Sequence, residues 1–135
     1  MGGESLILLD THIWVWLVSG AKELRPRLRQ LIDENTADGL GVSVISCWEV
    51  AKLVEKGRLA LDQPVSDWIS AALNYPLVSL LSLTPEIAVE STTLPGEIHG
   101  DPADQIIAAT ARVLGLRLVT ADKKLASYPH VTILE

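Results

Sequence analysis

Apolar and polar positions follow two rhythms along this chain. Short, unbroken apolar runs stand at residues 5–10, 40–45, 77–81, 117–120 and 131–134, as expected of strands buried on both faces. Between them lie longer stretches with helical spacing. Residues 11–19 are apolar on all sides and predict a buried helix, opened by the abrupt Asp10-Thr11-His12 boundary. Residues 26–36 predict an amphipathic helix with Leu28, Leu31 and Ile32 on one face. Further helices are predicted over 46–56, closed by Gly57, over 64–73, and from Thr84-Pro85 to about residue 93. After a loop over 94–100, a long helix opens at Asp101-Pro102 and is closed by Gly115, and a short one covers 122–126. Strands alternating with helices predict an α/β fold with a central, mostly parallel sheet of about five strands flanked by helices.

The 135 residues, 48% of them apolar, suit one domain over 1–135 with a sizeable core. The longest apolar run, residues 13–18, is far short of the ~20 a membrane-spanning helix needs. The opening MGGESLILLD has neither the basic segment nor the cleavage site of a secretory leader, and Leu6 breaks the acylation pattern. A lone cysteine, Cys47, forms no internal disulfide and fits a reducing compartment, so a cytoplasmic location is expected. The formal charge of −6 argues against gripping nucleic acid by bulk charge, though not against an enzyme that meets a phosphate through bound metal.

Each conspicuous acid has a local explanation. Asp10 and Asp122 end strands and can cap the helices that follow. Ser46-Cys-Trp-Glu49 matches a capping box. Asp101 suits a cap and Asp104 the first turn of the next helix. Capping does not explain why a parallel sheet would bring Asp10, Glu49 and Asp122 to one edge. Two carboxylates about 5 Å apart repel by roughly 3 kcal/mol at an effective dielectric near 20. Helix N-termini offset about 0.3–1 kcal/mol each, so protons or a cation must supply the rest. An all-oxygen set without a Cys or His ligand pattern suits Mg²⁺ or Mn²⁺. Phosphate-loop, dinucleotide and nucleophile-elbow motifs are absent from the sequence. Cys47 reads as an inert thiol, His12 and His99 as structural histidines with substrate contact as the alternative, and the four tryptophans as core or interface anchors.

Taken together these residues resemble the PIN-domain nucleases, and within them the VapC-type toxins of toxin–antitoxin pairs. Four segments carry the resemblance in order: Leu8-Leu-Asp-Thr-His12; Val44-Ile-Ser-Cys-Trp-Glu-Val50 with Lys56-Gly-Arg-Leu59; His99-Gly-Asp-Pro-Ala-Asp-Gln-Ile-Ile-Ala-Ala-Thr-Ala111; and Gly115-Leu-Arg-Leu-Val-Thr-Ala-Asp-Lys-Lys-Leu125. The resemblance implies a PIN-like single domain and a Mg²⁺- or Mn²⁺-dependent endoribonuclease. It also implies a homodimer and a cognate antitoxin that covers the acidic groove. By motif match, Asp10, Glu49, Asp104 and Asp122 are the metal-binding acids, Asp101 is a further acid of the third motif, and Thr120 is a site hydroxyl. Gly100 stands where subfamily members often carry Arg, which removes a phosphate contact at that point. Lys52, Lys56, Arg58, Lys123 and Lys124 lie near the acids in sequence and are candidates to receive the RNA backbone. Two rivals stay open: a catalytically silent PIN-fold interaction module, and a phosphoacceptor receiver domain. The receiver fits poorly, because Asp10 is a single acid and Glu49 lies on a helix.

Overall fold

The computed structural model describes residues 6–135. Residues 1–5, on which the leader and acylation readings and the first apolar run begin, lie outside the described residues. Four strands, β1 (Ile7–Leu9), β2 (Leu40–Ser43), β3 (Val78–Leu81) and β4 (Arg117–Val119), form one sheet in the order β3-β2-β1-β4. All three pairings are parallel. The expected run over 131–134 adds only one parallel bridge, Leu118 to Ile133, held by Leu118 N–H to Thr132 O and Leu134 N–H to Leu118 O.

Among the described residues seven helices connect and cover the sheet: α1 (Thr11–Ser19), α2 (Pro26–Glu34), α3 (Val44–Glu55), α4 (Val65–Leu73), α5 (Pro85–Glu90), α6 (Pro102–Leu114) and α7 (Lys123–Ala126). The period-two alternation of β1 divides the core between the two faces. Ile7 and Leu9 pack with Ile13, Trp14, Ile32 and Trp68 on one side. Leu8 packs with Ile107, Ala108 and Ala111 of α6 on the other. Each fully buried aliphatic side chain here contributes about 1.5–3 kcal/mol of burial free energy. Alanines at 103, 108, 109 and 111 let α6 lie close to the sheet. Gly41 does the same within β2, where an added Cβ would meet Leu81 Cδ1 at 2.8 Å.

One helix start differs from the sequence expectation. β2 ends at Ser43, whose hydroxyl accepts the Ile45 N–H at 3.1 Å and caps α3. Ser46 is therefore not the cap of a Ser46–Glu49 box but a buried residue inside the helix. The expected strand over 40–45 is shortened accordingly. The chain leaves β1 toward β2 and β3, then returns to the opposite side of β1 as β4. The carboxyl ends of β1 and β4 thus flank the point where the winding reverses, which is where open α/β sheets bind ligands.

Candidate metal centre

Asp10 follows the last residue of β1 and is both buried and the N-cap of α1. Its Oδ1 accepts the Thr11 N–H at 2.8 Å, and its Oδ2 accepts the Thr120 hydroxyl at 2.6 Å. Thr120 follows β4, and its oxygen also accepts the Asp122 N–H at 3.0 Å, which ties the two strand ends together. Glu49 reaches in from α3. Its Oε1 accepts the Thr11 hydroxyl at 2.5 Å, and Thr11 is in turn within 2.8 Å of the Ser46 hydroxyl. Asp104, largely buried in the first turn of α6, accepts from His99 Nε2 through Oδ2 at 2.6 Å. The Gln105 side chain braces the same loop by donating to the His99 carbonyl at 3.2 Å.

These elements bring one carboxylate oxygen each from Asp10, Glu49 and Asp104 within 4.8 Å of one another. Among the described residues no Lys or Arg is ion-paired with any of the three. Burial pushes Asp10 above its ordinary carboxylate value, against the opposing pull of Thr120 and the Thr11 amide. Burial likewise raises Asp104, with the His99 bond pulling the other way and Asp10 adding to the rise. Glu49 is pushed up to about 7, first by burial and then by the charges of Asp10, Asp104 and Asp101. All three shifts oppose negative charge, so the cluster is short of positive charge. Hydroxyl and imidazole donors fix the carboxylates while a cavity of about 320 Å³ lies open beside them. Such a set fits a hard divalent cation.

The other acids serve two purposes. Asp101 is exposed, caps α6 by accepting the Asp104 N–H at 3.1 Å, and lines the cavity. Asp122 caps α7 through the amides of Lys124 and Leu125, at 2.8 and 3.1 Å, and lines the same cavity. Lys123 and Lys124 line an adjoining hollow with His99, Gly100 and Asp104. Lys52 points to Glu55 at 2.8 Å, and Lys56 and Arg58 are exposed at the far end of α3, outside the cavities that contain the acids. Burial raises the Cys47 thiol, opposite to what a nucleophile needs.

Sequence reasoning missed Thr11 and Ser46, although Thr11 adjoins Asp10 and Ser46 stands one helical turn before Glu49. It favoured a structural role for His12 over substrate contact, and a core or interface role for Trp16. His12 is exposed, Trp16 is only partly buried, and both line the acid cavity. Of the two roles expected for the tryptophans, core or interface, the 53% exposure of Trp48 excludes the core.

The profile of the PIN domain family matches residues 7–131. The chain belongs to the PIN-domain family. A relative, Ribonuclease VapC22 from Mycobacterium tuberculosis, is 38% identical over 124 residues, covering 92% of each chain. Solved PIN-fold relatives include a VapBC2 complex from Rickettsia felis bound to a promoter DNA fragment, with TM-score 0.68, 19% identity and 95% and 96% of the two chains covered. A toxin–antitoxin complex from Klebsiella pneumoniae gives TM-score 0.63 at 23% identity, covering 96% and 98%. At such identities these structures speak for the fold alone. Among the described residues no helix is long and apolar enough to cross a membrane.

Proposed function

We propose that this PIN-domain protein is a metal-dependent endoribonuclease that hydrolyses RNA phosphodiester bonds, the toxin of a toxin–antitoxin pair acting in the cytoplasm. The observation that carries the reading is the convergence of Asp10, Glu49 and Asp104 in a chain 38% identical to a ribonuclease. These three acids would hold Mg²⁺ or Mn²⁺, with Asp122 and Asp101 completing the acidic rim. A divalent ion held there supplies a water of lowered pKa and polarises the scissile phosphate. The chain's own residues do the positioning. Thr120 and the Thr11 amide fix Asp10, the Thr11 hydroxyl fixes Glu49, and His99 fixes Asp104. Lys123 and Lys124 favour the approaching backbone phosphates beside an otherwise acidic surface. Lys52, Lys56 and Arg58 would meet only RNA that extends along α3.

Two partners belong to the same reading. The likeness to the Klebsiella pneumoniae toxin–antitoxin complex supports a cognate antitoxin that neutralises the acidic cleft. Exposed apolar side chains at Trp48, Leu77, Leu80 and Leu83, three of them on or beside the edge strand β3, support a homodimer. The test is cleavage of total RNA by antitoxin-free protein with Mn²⁺, with Mg²⁺ and with EDTA, beside Asp104→Asn. The expected result is discrete fragments that require metal, with the variant reduced by at least about a thousandfold. Folded protein that cleaves nothing under any of these conditions points instead to a silent interaction module.

A further inference from the structure

We infer that His12 and Trp16 form a stacking subsite for an unpaired nucleobase next to the cleaved phosphate. The inference rests on the ribonuclease reading and names how that site holds its substrate. The two residues stand four apart on α1, so they share a face of the helix that Asp10 caps. Their ring centroids are 5.8 Å apart with the planes tilted by 50°. Trp16 lies about 9 Å along the helix axis from Asp10, rigidly tied to it by six residues of regular helix.

The contrast among the tryptophans of the core face is informative. Trp14 and Trp68 are 0% and 5% exposed and meet edge to face at 5.2 Å, as core packing requires. Trp16 packs against the same core but stays partly exposed. There it separates the acid cavity from a neighbouring groove of about 620 Å³, and His12 lines both. An exposed imidazole beside a partly exposed indole, at the rim of a cleft built for a phosphodiester, offers aromatic surface where a base must lie.

Charge explains why such a contact is needed. The chain carries −6, and the cleft itself is lined with carboxylates, so phosphate contacts alone hold RNA weakly. Stacking on an aromatic face does not depend on net charge and accepts any base. It therefore supplies affinity that the acidic surface cannot, and it selects single-stranded over paired RNA, whose bases are not free to stack.

The test uses a short RNA built around a cleavage site mapped in total RNA, with an abasic ribose placed in turn at each flanking nucleotide. kcat/KM is measured for wild type, His12→Leu, Trp16→Leu and the aromatic-retaining Trp16→Phe, and Mn²⁺ binding is measured for each. At one flanking position, loss of the base costs the wild type roughly five- to 150-fold. The same loss costs His12→Leu and Trp16→Leu less than about threefold, while Trp16→Phe keeps most of the penalty and Mn²⁺ binding stays unchanged throughout. His12 is exposed, so its variant stands even where Trp16→Leu fails to fold. An abasic penalty equally large in wild type and in His12→Leu would overturn the subsite while leaving the ribonuclease reading intact. Variants with normal cleavage and a normal abasic profile that escape antitoxin inhibition would also overturn it, assigning this face to a polypeptide. Wild type that cleaves no RNA in the presence of Mn²⁺ would remove the ribonuclease reading and the subsite with it.

Discussion

Thr11 joins two acids that are distant in sequence. Its amide holds Asp10, and its hydroxyl holds Glu49, 38 residues away, with Ser46 behind it. Thr11→Val keeps the shape and removes the hydroxyl. Glu49 then loses its donor, and Mn²⁺ affinity is expected to fall about 10- to 100-fold, as for other groups that orient a metal ligand. Calorimetry checks this, and an unchanged affinity would show that Glu49 needs no such support. The same change leaves the buried Ser46 hydroxyl short of a partner, at a cost of about 1–3 kcal/mol in denaturant unfolding. A pH dependence follows from the acids themselves. Glu49 sits near 7 in the fold against an ordinary value of 4.5, so the folded state holds its proton more tightly than the unfolded chain. Its contribution to stability is fully present below about 4.5 and is lost as pH rises through about 7. Asp10 and Asp104, also raised, act in the same direction. Urea unfolding in EDTA at low and high ends of that window should therefore show a loss of stability with rising pH that Glu49→Gln reduces and Mn²⁺ abolishes. A slope of the opposite sign would mean that the acids are not short of positive charge. The acids were legible in the sequence because strand ends and helix starts mark them. The Thr11–Ser46–Glu49 chain was not, because packing, not spacing, sets a contact between α1 and α3.

Among the elements, the start of α3 shows where local signals compete. Ser43 and Ser46 both precede helical sequence and both can cap. The choice falls to Ser43 because Ser46 turns inward to meet Thr11, an option that no local pattern reveals. Ser43→Ala should cost about 0.5–2 kcal/mol of stability through the lost cap and leave metal binding nearly unchanged. Ser46→Ala should instead weaken Mn²⁺ binding through Thr11. The reverse assignment of these two effects would restore Ser46 as the cap. Elsewhere the signals agree with the fold: Thr84-Pro85 and Asp101-Pro102 open α5 and α6, and Gly115, at φ 66°, closes α6. The run over 131–134 reads as a strand but yields only a bridge, since only its contact with Leu118 reaches the sheet.

At the scale of the whole molecule, the winding order of the sheet makes the site. Placing β1 between β2 and β4 brings Asp10 beside Thr120 and Asp122 on one flank and beside α3 and Glu49 on the other. Asp104 arrives from α6, which packs against the β1 side chain that points to the opposite face, Leu8. The parallel α/β class was legible from alternating runs and helices, but the strand order was not, because no local pattern encodes which neighbour a strand chooses. The most direct measurement is Mn²⁺ titration calorimetry near pH 7, in two buffers of different ionisation enthalpy, for the wild type and Asp10→Asn. A shared metal centre requires saturable binding with net proton release from the raised acids, and its loss in Asp10→Asn. Binding that is absent from the wild type, or equally tight in Asp10→Asn, would contradict it.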